Sequence, residues 1–223
     1  AIVIGLVCGT LLGVINGLII AKLGISPFLV TFAMLYIARG LLYLLTADSP
    51  IRNFATPEFE FFAQGYVLGI PTAVWIAFVL LVICYFLFKS TGFGRKVITT
   101  GSNPEAAHLS GIHTSRIKIQ VYAFSGFMAA VSGILLASRL TSVQPQMGTS
   151  YELDAIAAAV IGGTSMFGGK GSVIGAALGA IVLTLISNGL DLLAVNQFYR
   201  LIITGAIIII AVGLDRLTAQ KAS

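Results

Sequence analysis

Residues 89–118 read KSTGFGRKVITTGSNPEAAHLSGIHTSRIK and separate two apolar runs that are each long enough to cross a membrane. This segment, called the island below, has a single anion, Glu105. Its cations are Lys89, Arg95, Lys96, Arg116 and Lys118. Basic segments between spans are typical of the cytoplasmic side, so the island is predicted to be a cytoplasmic loop that docks another molecule. We expect it to lie within a single membrane domain covering residues 1–223.

The composition is that of an integral membrane protein. The 223 residues are 57% hydrophobic and only 9% charged, with a mean hydropathy of +1.00. A soluble domain carries about 25% charged residues, so this chain cannot cover a water-facing surface and is predicted to contact membrane lipid. The net charge of +5 does not indicate nucleic-acid binding, because the cations lie between apolar segments instead of clustering on one solvated face.

The apolar runs predict an all-α, polytopic transmembrane helix bundle. A span needs about 20 apolar residues, and this criterion predicts about seven crossings. The predicted spans are residues 2–21, 26–45, 70–88, 119–138, 152–167, 172–190 and 198–214.

The distribution of charge predicts the orientation of the bundle. With the island in the cytoplasm, alternation of the spans places nine Lys and Arg residues on the cytoplasmic side and three, Arg52, Arg139 and Arg200, on the other. Because cations concentrate in cytoplasmic loops, the C-terminus is predicted to be cytoplasmic. The first residue then lies outside with no signal peptide before it, so we expect further N-terminal spans to precede the chain.

Glycine recurs every four residues along the first span, at Gly5, Gly9, Gly13 and Gly17. Small residues at this spacing let two helix backbones approach closely. The pattern therefore predicts a helix-packing seam within a compact bundle.

The fifth crossing is predicted to be a broken helix. Residues 149–152 have the S/T-x-x-E form of a capping box, and the helix 152–161 that follows would span about 15 Å, half a bilayer. Residues 163–171, GTSMFGGKG, cannot form a regular helix and are expected to be extended, which would supply the remaining distance. Irregular backbone at membrane depth requires protein or a watery cavity beside it, and broken helices recur along transport paths.

Residues near this break, together with polar residues inside other spans, are candidates for a translocation path or gate. As an alternative, the two carboxylates only complement a helix N-terminus, and the amide and hydroxyl groups only form hydrogen bonds between helices. The candidates are Asn16, Tyr36, Glu152, Asp154, Gly162, Gly163, Phe167 and Asn188.

No catalytic or nucleotide-binding motif is visible in the sequence. Residues 168–172, GGKGS, lack the leading glycine and the flanking strand that a phosphate loop needs. His108 and His113 have no further ligand residue clustered with them, so no metal site is predicted. The chain is therefore predicted to be no enzyme and to bind no cofactor, and any uphill transport would draw its energy from another chain.

A short capped helix is predicted inside the island. Asn103 is a good N-cap, Pro104 suits the first helical position, and Glu105 complements the helix dipole. Gly111 is well placed to end the helix after about two turns. An ordinary connecting loop with an interfacial helix is the alternative interpretation.

Several long stretches resemble one family of transport proteins. Residues 101–112, GSNPEAAHLSGI, resemble the cytoplasmic coupling segment of bacterial ABC importer permeases. Residues 148–180, GTSYELDAIAAAVIGGTSMFGGKGSVIGAALGA, are similar to the most recognisable part of the ribose-type monosaccharide permeases. Residues 13–41 and 187–212 resemble the same family, so the likeness covers nearly the whole chain.

The resemblance implies a permease subunit in a bacterial inner membrane that imports a ribose-like sugar. It implies a second permease subunit, identical or closely homologous, a periplasmic sugar-binding protein, and an ATP-binding subunit that would hold ATP and magnesium. The binding protein would meet the outer segments 46–69 and 139–151. A secondary transporter or channel for a small polar solute is the alternative, although no chain of membrane carboxylates supports it. The residues expected to couple to the ATPase are Gly101, Asn103, Pro104, Glu105, Ala106, Ala107, Ser110, Gly111 and Ile112.

Overall fold

The chain is largely helical, and its strands are only two residues long. The structure is a computed structural model that describes residues 2–52, 56–166, 168–196, 199, 202–203, 205–207, 209 and 213. In chain order the elements are α1 (Ile2–Leu23), α2 (Pro27–Thr46), β1 (Ile51–Arg52), α3 (Pro57–Gln64), β2 (Tyr66–Val67), β3 (Ile70–Pro71), α4 (Thr72–Ser90), α5 (Gly92–Ser102), α6 (Pro104–Leu109), α7 (Thr114–Leu140), β4 (Ser142–Val143), α8 (Tyr151–Ile161) and α9 (Val173–Leu192).

Five of these helices, α1, α2, α4, α7 and α9, are long and apolar enough to cross a membrane. They coincide with predicted spans one, two, three, four and six, which confirms the predicted all-α, multi-pass membrane fold. The number of crossings stays a prediction. The predicted span 198–214 lies largely outside the described residues, as do Arg200 and the C-terminal residues used to assign orientation.

Two predicted span starts differ from the observed helix starts for reasons that the structure shows. The span predicted to begin at residue 70 begins at Thr72, because Ile70 and Pro71 pair with β2 in a small antiparallel hairpin. The span predicted to begin at residue 119 begins at Thr114, so that Arg116 and Lys118 already belong to α7. Hydropathy locates the apolar part of a helix, whereas backbone hydrogen bonding decides where the helix starts.

The chain forms two compact units. The first contains α1, α2, α3, the N-terminal half of α4, α7 and the paired strands. The second contains the C-terminal half of α4 together with α5, α6, α8 and α9. The single domain expected from the sequence stays a prediction.

In the first unit, α1 and α7 approach at backbone distance. A Cβ atom built on Gly9 would lie 2.6 Å from the Ala130 Cβ atom and 2.8 Å from the Gly126 carbonyl oxygen. A Cβ atom on Gly13 would overlap the Tyr122 carbonyl oxygen, and one on Gly17 would lie 2.7 Å from the Ile119 Cα atom. Gly5 is looser, with its nearest contact, the Ile134 Cδ1 atom, at 3.6 Å. The structure thus places all four regularly spaced glycines on the side of α1 that packs against α7.

In the second unit, α8 packs against α9 through small residues. Ala157 and Ala158 of α8 form a buried cluster with Leu183 of α9. A Cβ atom on Gly179 would overlap the Ala158 carbonyl oxygen, and Gly162 and Gly175 would overlap each other's backbone in the same way. An 11-residue helix is too short to span a bilayer alone, and its small side chains let it lie directly against a full-length one.

The close approach of α1 and α7 predicts that Gly13→Ala lowers the thermal unfolding midpoint of the protein in detergent. The new methyl group would collide with the α7 backbone, and overpacking of this kind costs about 1–3 kcal/mol. Gly40→Ala in α2 is the matched control, because its Cβ atom meets nothing within 4 Å and alanine favours a helix. Equal thermal unfolding midpoints for the two variants would refute the interpretation of the α1 glycines as a helix-packing seam.

Candidate functional site

The island is more helical than predicted. It consists of the last residues of α4, the 11-residue helix α5, the short helix α6 and the start of α7. The chain turns sharply from α4 into α5, and Gly94 lies against the Phe88 backbone where no Cβ atom would fit. The Phe88 and Phe93 rings stack edge to face at 5.9 Å across this corner. The sequence did not predict α5, because its glycines and β-branched residues have low helix propensity. Tertiary packing therefore decides the conformation of this segment.

The predicted capped helix is present as α6. The Asn103 side-chain oxygen accepts hydrogen bonds from the backbone N–H groups of Glu105 and Ala106, both at 3.0 Å. Pro104 occupies the first helical position, and Gly111, which follows the helix, has a φ of +81°. The interpretation of these residues as helix start and stop signals is confirmed.

The helix α6 presents most of its side chains to the outside. Glu105 and Ala106 are exposed, and Leu109 is 88% exposed. Ala107 is instead 0% exposed, so its methyl group packs inside the protein. The coupling role predicted for Ala107 and its neighbours stays a prediction.

The other residues predicted to couple to a partner flank α6. Gly101 belongs to the last turn of α5, Ser110 and Gly111 are exposed, and Ile112 is half-buried just before α7. Ser110 to Ile112 belong to the first compact unit, whereas residues 101–109 belong to the second.

The end of α5 touches the segment 162–172 that follows α8. A Cβ atom built on Gly101 would lie 3.2 Å from the Gly169 nitrogen, and one on Gly168 would overlap the Gly101 carbonyl oxygen. Gly168 and Gly169 have φ values of +91° and +77°, a conformation that glycine adopts at little cost. The island and the predicted break in the fifth crossing are therefore in direct backbone contact within the second unit.

The segment 162–172 is irregular, as predicted, but it is not extended. The Ser165 N–H group donates to the Lys170 carbonyl oxygen at 3.0 Å, so the chain reverses direction within this segment. Gly163, with a φ of +83°, starts the reversal. The extended conformation predicted for residues 163–171 is therefore wrong, whereas the fifth crossing itself stays a prediction.

The predicted capping box at residues 149–152 is also wrong. The helix α8 begins at Tyr151, and its N-cap is Ser150, which has a φ of +72° and makes no side-chain cap hydrogen bond. Its first turn instead carries Glu152 and Asp154, whose carboxylates lie near the positive, N-terminal end of the helix dipole.

Within the second unit, the predicted path residues that the structure describes do not lie at one place. Glu152 and Asp154 lie exposed at the first turn of α8, and the length of that helix separates them from Gly162 and Gly163. Asn188 is exposed on α9. Phe167 lies outside the described residues.

Two further path candidates, Asn16 and Tyr36, lie in the first unit. Tyr36 is 62% exposed on α2, with its ring 5.0 Å from that of Phe32. The side-chain oxygen of Asn16 is buried and has no hydrogen-bond partner among the described residues. An unpaired buried oxygen is costly, so Asn16 stands out among the polar path candidates that the structure describes.

The two outer segments named in the sequence analysis meet in the structure. Strand β1, which follows α2, pairs with β4, which follows α7, in the register Ile51 to Val143 and Arg52 to Ser142. The C-terminal ends of α2 and α7 therefore lie on the same side of the first unit, as the alternation of spans requires.

The helix α3 joins this outer surface through Ser138, a residue that sequence reasoning missed. Ser138 is 0% exposed; its hydroxyl donates to the Phe59 carbonyl oxygen at 2.6 Å and accepts from the Ala63 N–H group at 3.1 Å. The Gln64 amide donates to the Arg139 carbonyl oxygen at 3.1 Å. A serine inside an apolar span gives no sign of such a role.

The sequence contains a recognisable N-terminal capping pattern at the start of α3. Thr56 is followed by Pro57 and Glu58, the usual order of an N-cap, a first-position proline and a first-turn acid. The backbone N–H group of Glu58 and the Thr56 hydroxyl hold the pKa of the Glu58 carboxyl below its ordinary value. The exposed carboxylate thus stays ionised at neutral pH.

Comparison with known proteins agrees with this architecture. The family described as "Branched-chain amino acid transport system / permease component" matches residues 1–212. The chain belongs to this permease family. The permease is 41% identical over 219 residues to the ribose import permease protein of Haemophilus influenzae, covering 97% of the chain and 68% of the relative. No solved structure matches it.

Other relatives carry similar names. The permease is 44% identical to the ribose import permease protein of Bacillus subtilis, over 90% of the chain and 63% of that protein. It is 44% identical to the galactose/methyl galactoside import permease protein of Escherichia coli, over 97% of the chain and 67% of that protein. These matches confirm the predicted resemblance to ribose-type permeases, and the chain spans about two thirds of the length of each relative.

No group of three or more His, Cys, Asp or Glu side chains in the described part of the permease is arranged to hold a metal ion.

The hydrogen bonds of Ser138 predict that Ser138→Ala loosens α3. The substitution leaves the Ala63 N–H group without its acceptor, at a cost of about 1–3 kcal/mol. Limited proteolysis of residues 56–71 should accelerate several-fold. Thr184→Ala, which removes an exposed hydroxyl bonded only within α9, is the control and should leave that rate unchanged. Equal rates for the two variants would mean that Ser138 does not hold α3.

Proposed function

We propose that the chain is the membrane subunit of an ATP-driven importer that carries a monosaccharide into the cytoplasm. The observation that carries this proposal is α6, a capped helix on a basic segment that exposes Glu105 and Leu109 on an outward face. If this membrane protein, whose sequence shows no nucleotide motif, moves its solute uphill with the energy of ATP, a partner supplies that energy, and α6 is the surface that fits such a partner.

The island connects to the irregular segment 162–172 through a contact between backbones. An ATP-binding subunit that moves α6 would move the end of α5, where Gly101 contacts Gly168. Because glycine backbones meet there without flexible side chains, little of the displacement would be lost. The displacement would reach α8, which carries the path candidates Glu152 and Asp154. This route supports alternating access without any chemistry on the permease itself, with ATP and magnesium on the partner.

A surface of the first unit fits a substrate-delivering protein. The β1–β4 ribbon and α3 form one connected surface of the first unit, and it carries the ionised Glu58 and the exposed Arg52. In the proposed orientation this surface is periplasmic, and the island and C-terminus are cytoplasmic, since the cations concentrate on the island's side. A sugar-binding protein would dock there, and a second permease copy or close homologue would complete the path.

The names of the relatives favour a sugar as the substrate. The relatives described above are named as importers of ribose and of galactose or methyl galactoside. The family description names branched-chain amino acids instead, so an amino acid is the second candidate. The amide and hydroxyl groups of Asn16 and Tyr36 suit a neutral polyol better than they suit a zwitterion.

Transport in proteoliposomes tests this function. We expect the permease, reconstituted with an ATP-binding subunit and a periplasmic binding protein, to take up labelled ribose or galactose only with hydrolysable ATP. Leucine should not compete with the sugar. Uptake that persists without ATP would indicate a secondary transporter or channel, and uptake of leucine alone would favour the amino-acid alternative.

The exposed face of α6 predicts that Leu109→Ala and Glu105→Ala each weaken recovery of the ATP-binding subunit about tenfold. Removal of an apolar or charged contact at an interface centre costs more than about 1 kcal/mol. Leu68→Ala is the matched control, because Leu68 is also 88% exposed but lies in the β2–β3 turn. Undiminished recovery with both α6 variants, in a protein of normal thermal stability, would remove α6 from the interface.

A further inference from the structure

The second unit contains a cavity of about 610 Å³ that the proposed transport function does not use. It lies among the last turns of α4, the helix α5, the segment 162–172 and the start of α9. Its volume is typical of a site for a small organic ligand. It is open on one side.

Three cations line this cavity, one from each of three chain segments. Lys89 comes from the last turn of α4, Arg95 from α5, and Lys170 from just before α9. None of the described residues that line the cavity is acidic. All three side chains are exposed, and like charges that share one cavity repel one another. The cavity therefore favours an anionic occupant.

Lys89 is held at the edge of the cavity. Its ammonium group donates to the Tyr85 hydroxyl and lies 4.9 Å from the centre of the Tyr85 ring. A cation above an aromatic ring is attracted by the π electrons, and the contact holds the exposed ammonium group of Lys89 beside the cavity. Tyr85 is itself one of the lining residues.

The rest of the wall is largely apolar. Phe88, Ile98, Val173 and Ala176 contribute side chains, and the glycines of the 162–172 segment contribute backbone. The helices α4 and α9 are candidate membrane spans, and the cavity lies where α4 ends and α9 begins. This position corresponds to the boundary between the acyl chains and the headgroups of a bilayer. A soluble anion would neutralise the cations but leave the apolar wall in contact with water. The free-energy cost of that contact is proportional to the apolar area of the wall.

We propose that this cavity binds an anionic phospholipid, with its phosphate among Lys89, Arg95 and Lys170 and an acyl chain along the apolar wall. Basic pockets between spans are suited to acidic lipid headgroups. The bound lipid would bridge α4, α5 and the segment 162–172. It would thereby stabilise the contact between Gly101 and Gly168, and the anionic lipid content of the membrane would tune how firmly the island is held.

Lipid binding by the purified chain tests the proposal. The variant K89Q/R95Q/K170Q removes the three cavity cations. The control K22Q/K96Q/K118Q removes three cations from α1, α5 and α7, none of which lines the cavity. The two variants have the same net charge, so a difference between them reports on position.

We expect dioleoyl-phosphatidylglycerol, but not dioleoyl-phosphatidylcholine, to raise the thermal midpoint of the wild type and the control in detergent. Native mass spectrometry should show one retained phosphatidylglycerol. Because each Lys or Arg near an anionic surface contributes about 1 kcal/mol, the cavity variant should bind phosphatidylglycerol roughly 100-fold more weakly.

Three results would overturn the proposal. The first is equal stabilisation by glycerol phosphate and by phosphatidylglycerol, which would identify a soluble anion as the occupant. The second is unchanged phosphatidylglycerol affinity in the cavity variant. The third is a loss of ATP-binding-subunit recovery in that variant while its lipid affinity is unchanged, which would make the cavity a protein contact. Because lipid binding is measured without transport, the result is independent of the proposed function.

Discussion

The fold depends on the requirement that backbone polar groups inside a bilayer find their hydrogen-bond partners within the protein. Helices meet this requirement internally, which explains why α1, α2, α4, α7 and α9 form uninterrupted runs. The irregular segment 162–172 meets it in a different way. Its Ser165 N–H group bonds to the Lys170 carbonyl oxygen, and its glycines lie against the backbone at Gly101. The break is thus supported by protein on one side, and it is this support that links it to the island.

Small residues set how closely the elements of each unit approach. In a membrane, apolar side chains gain little from contacting one another instead of lipid, so close backbone packing is the main source of helix association. Both units contain a glycine packed against the backbone of a neighbouring helix. These contacts are Gly13 with Tyr122 in the first unit and Gly179 with Ala158 in the second. Where glycine backbones meet, as at Gly101 and Gly168, displacement can pass between elements without being absorbed by side-chain rotation. The proposed coupling route depends on this property.

The sequence predicted best those elements whose signals lie close together in the chain. The capped helix α6 was predictable because Asn103, Pro104 and Gly111 act within a few residues of one another. The helix α5 was missed because its own sequence disfavours a helix and only its corner with α4 fixes it. Residues 149–152 had the form of a capping box, yet Ser150 adopts a positive φ and α8 begins at Tyr151 without a side-chain cap. A capping motif therefore indicates which hydrogen bonds are possible, whereas the conformation of the surrounding backbone decides whether they form.

The sequence by itself determined that this is an all-α membrane protein, where its long spans lie, and which permease family it belongs to, because apolar length, composition and family motifs are properties of the chain alone. Only the tertiary structure decided that Ser138 holds α3, that Ala107 is the buried residue of α6, and that Lys89 and Lys170 line one cavity. These facts join residues that are far apart in the chain. Contacts of that kind arise from the way helices pack, and no local pattern of residues records them.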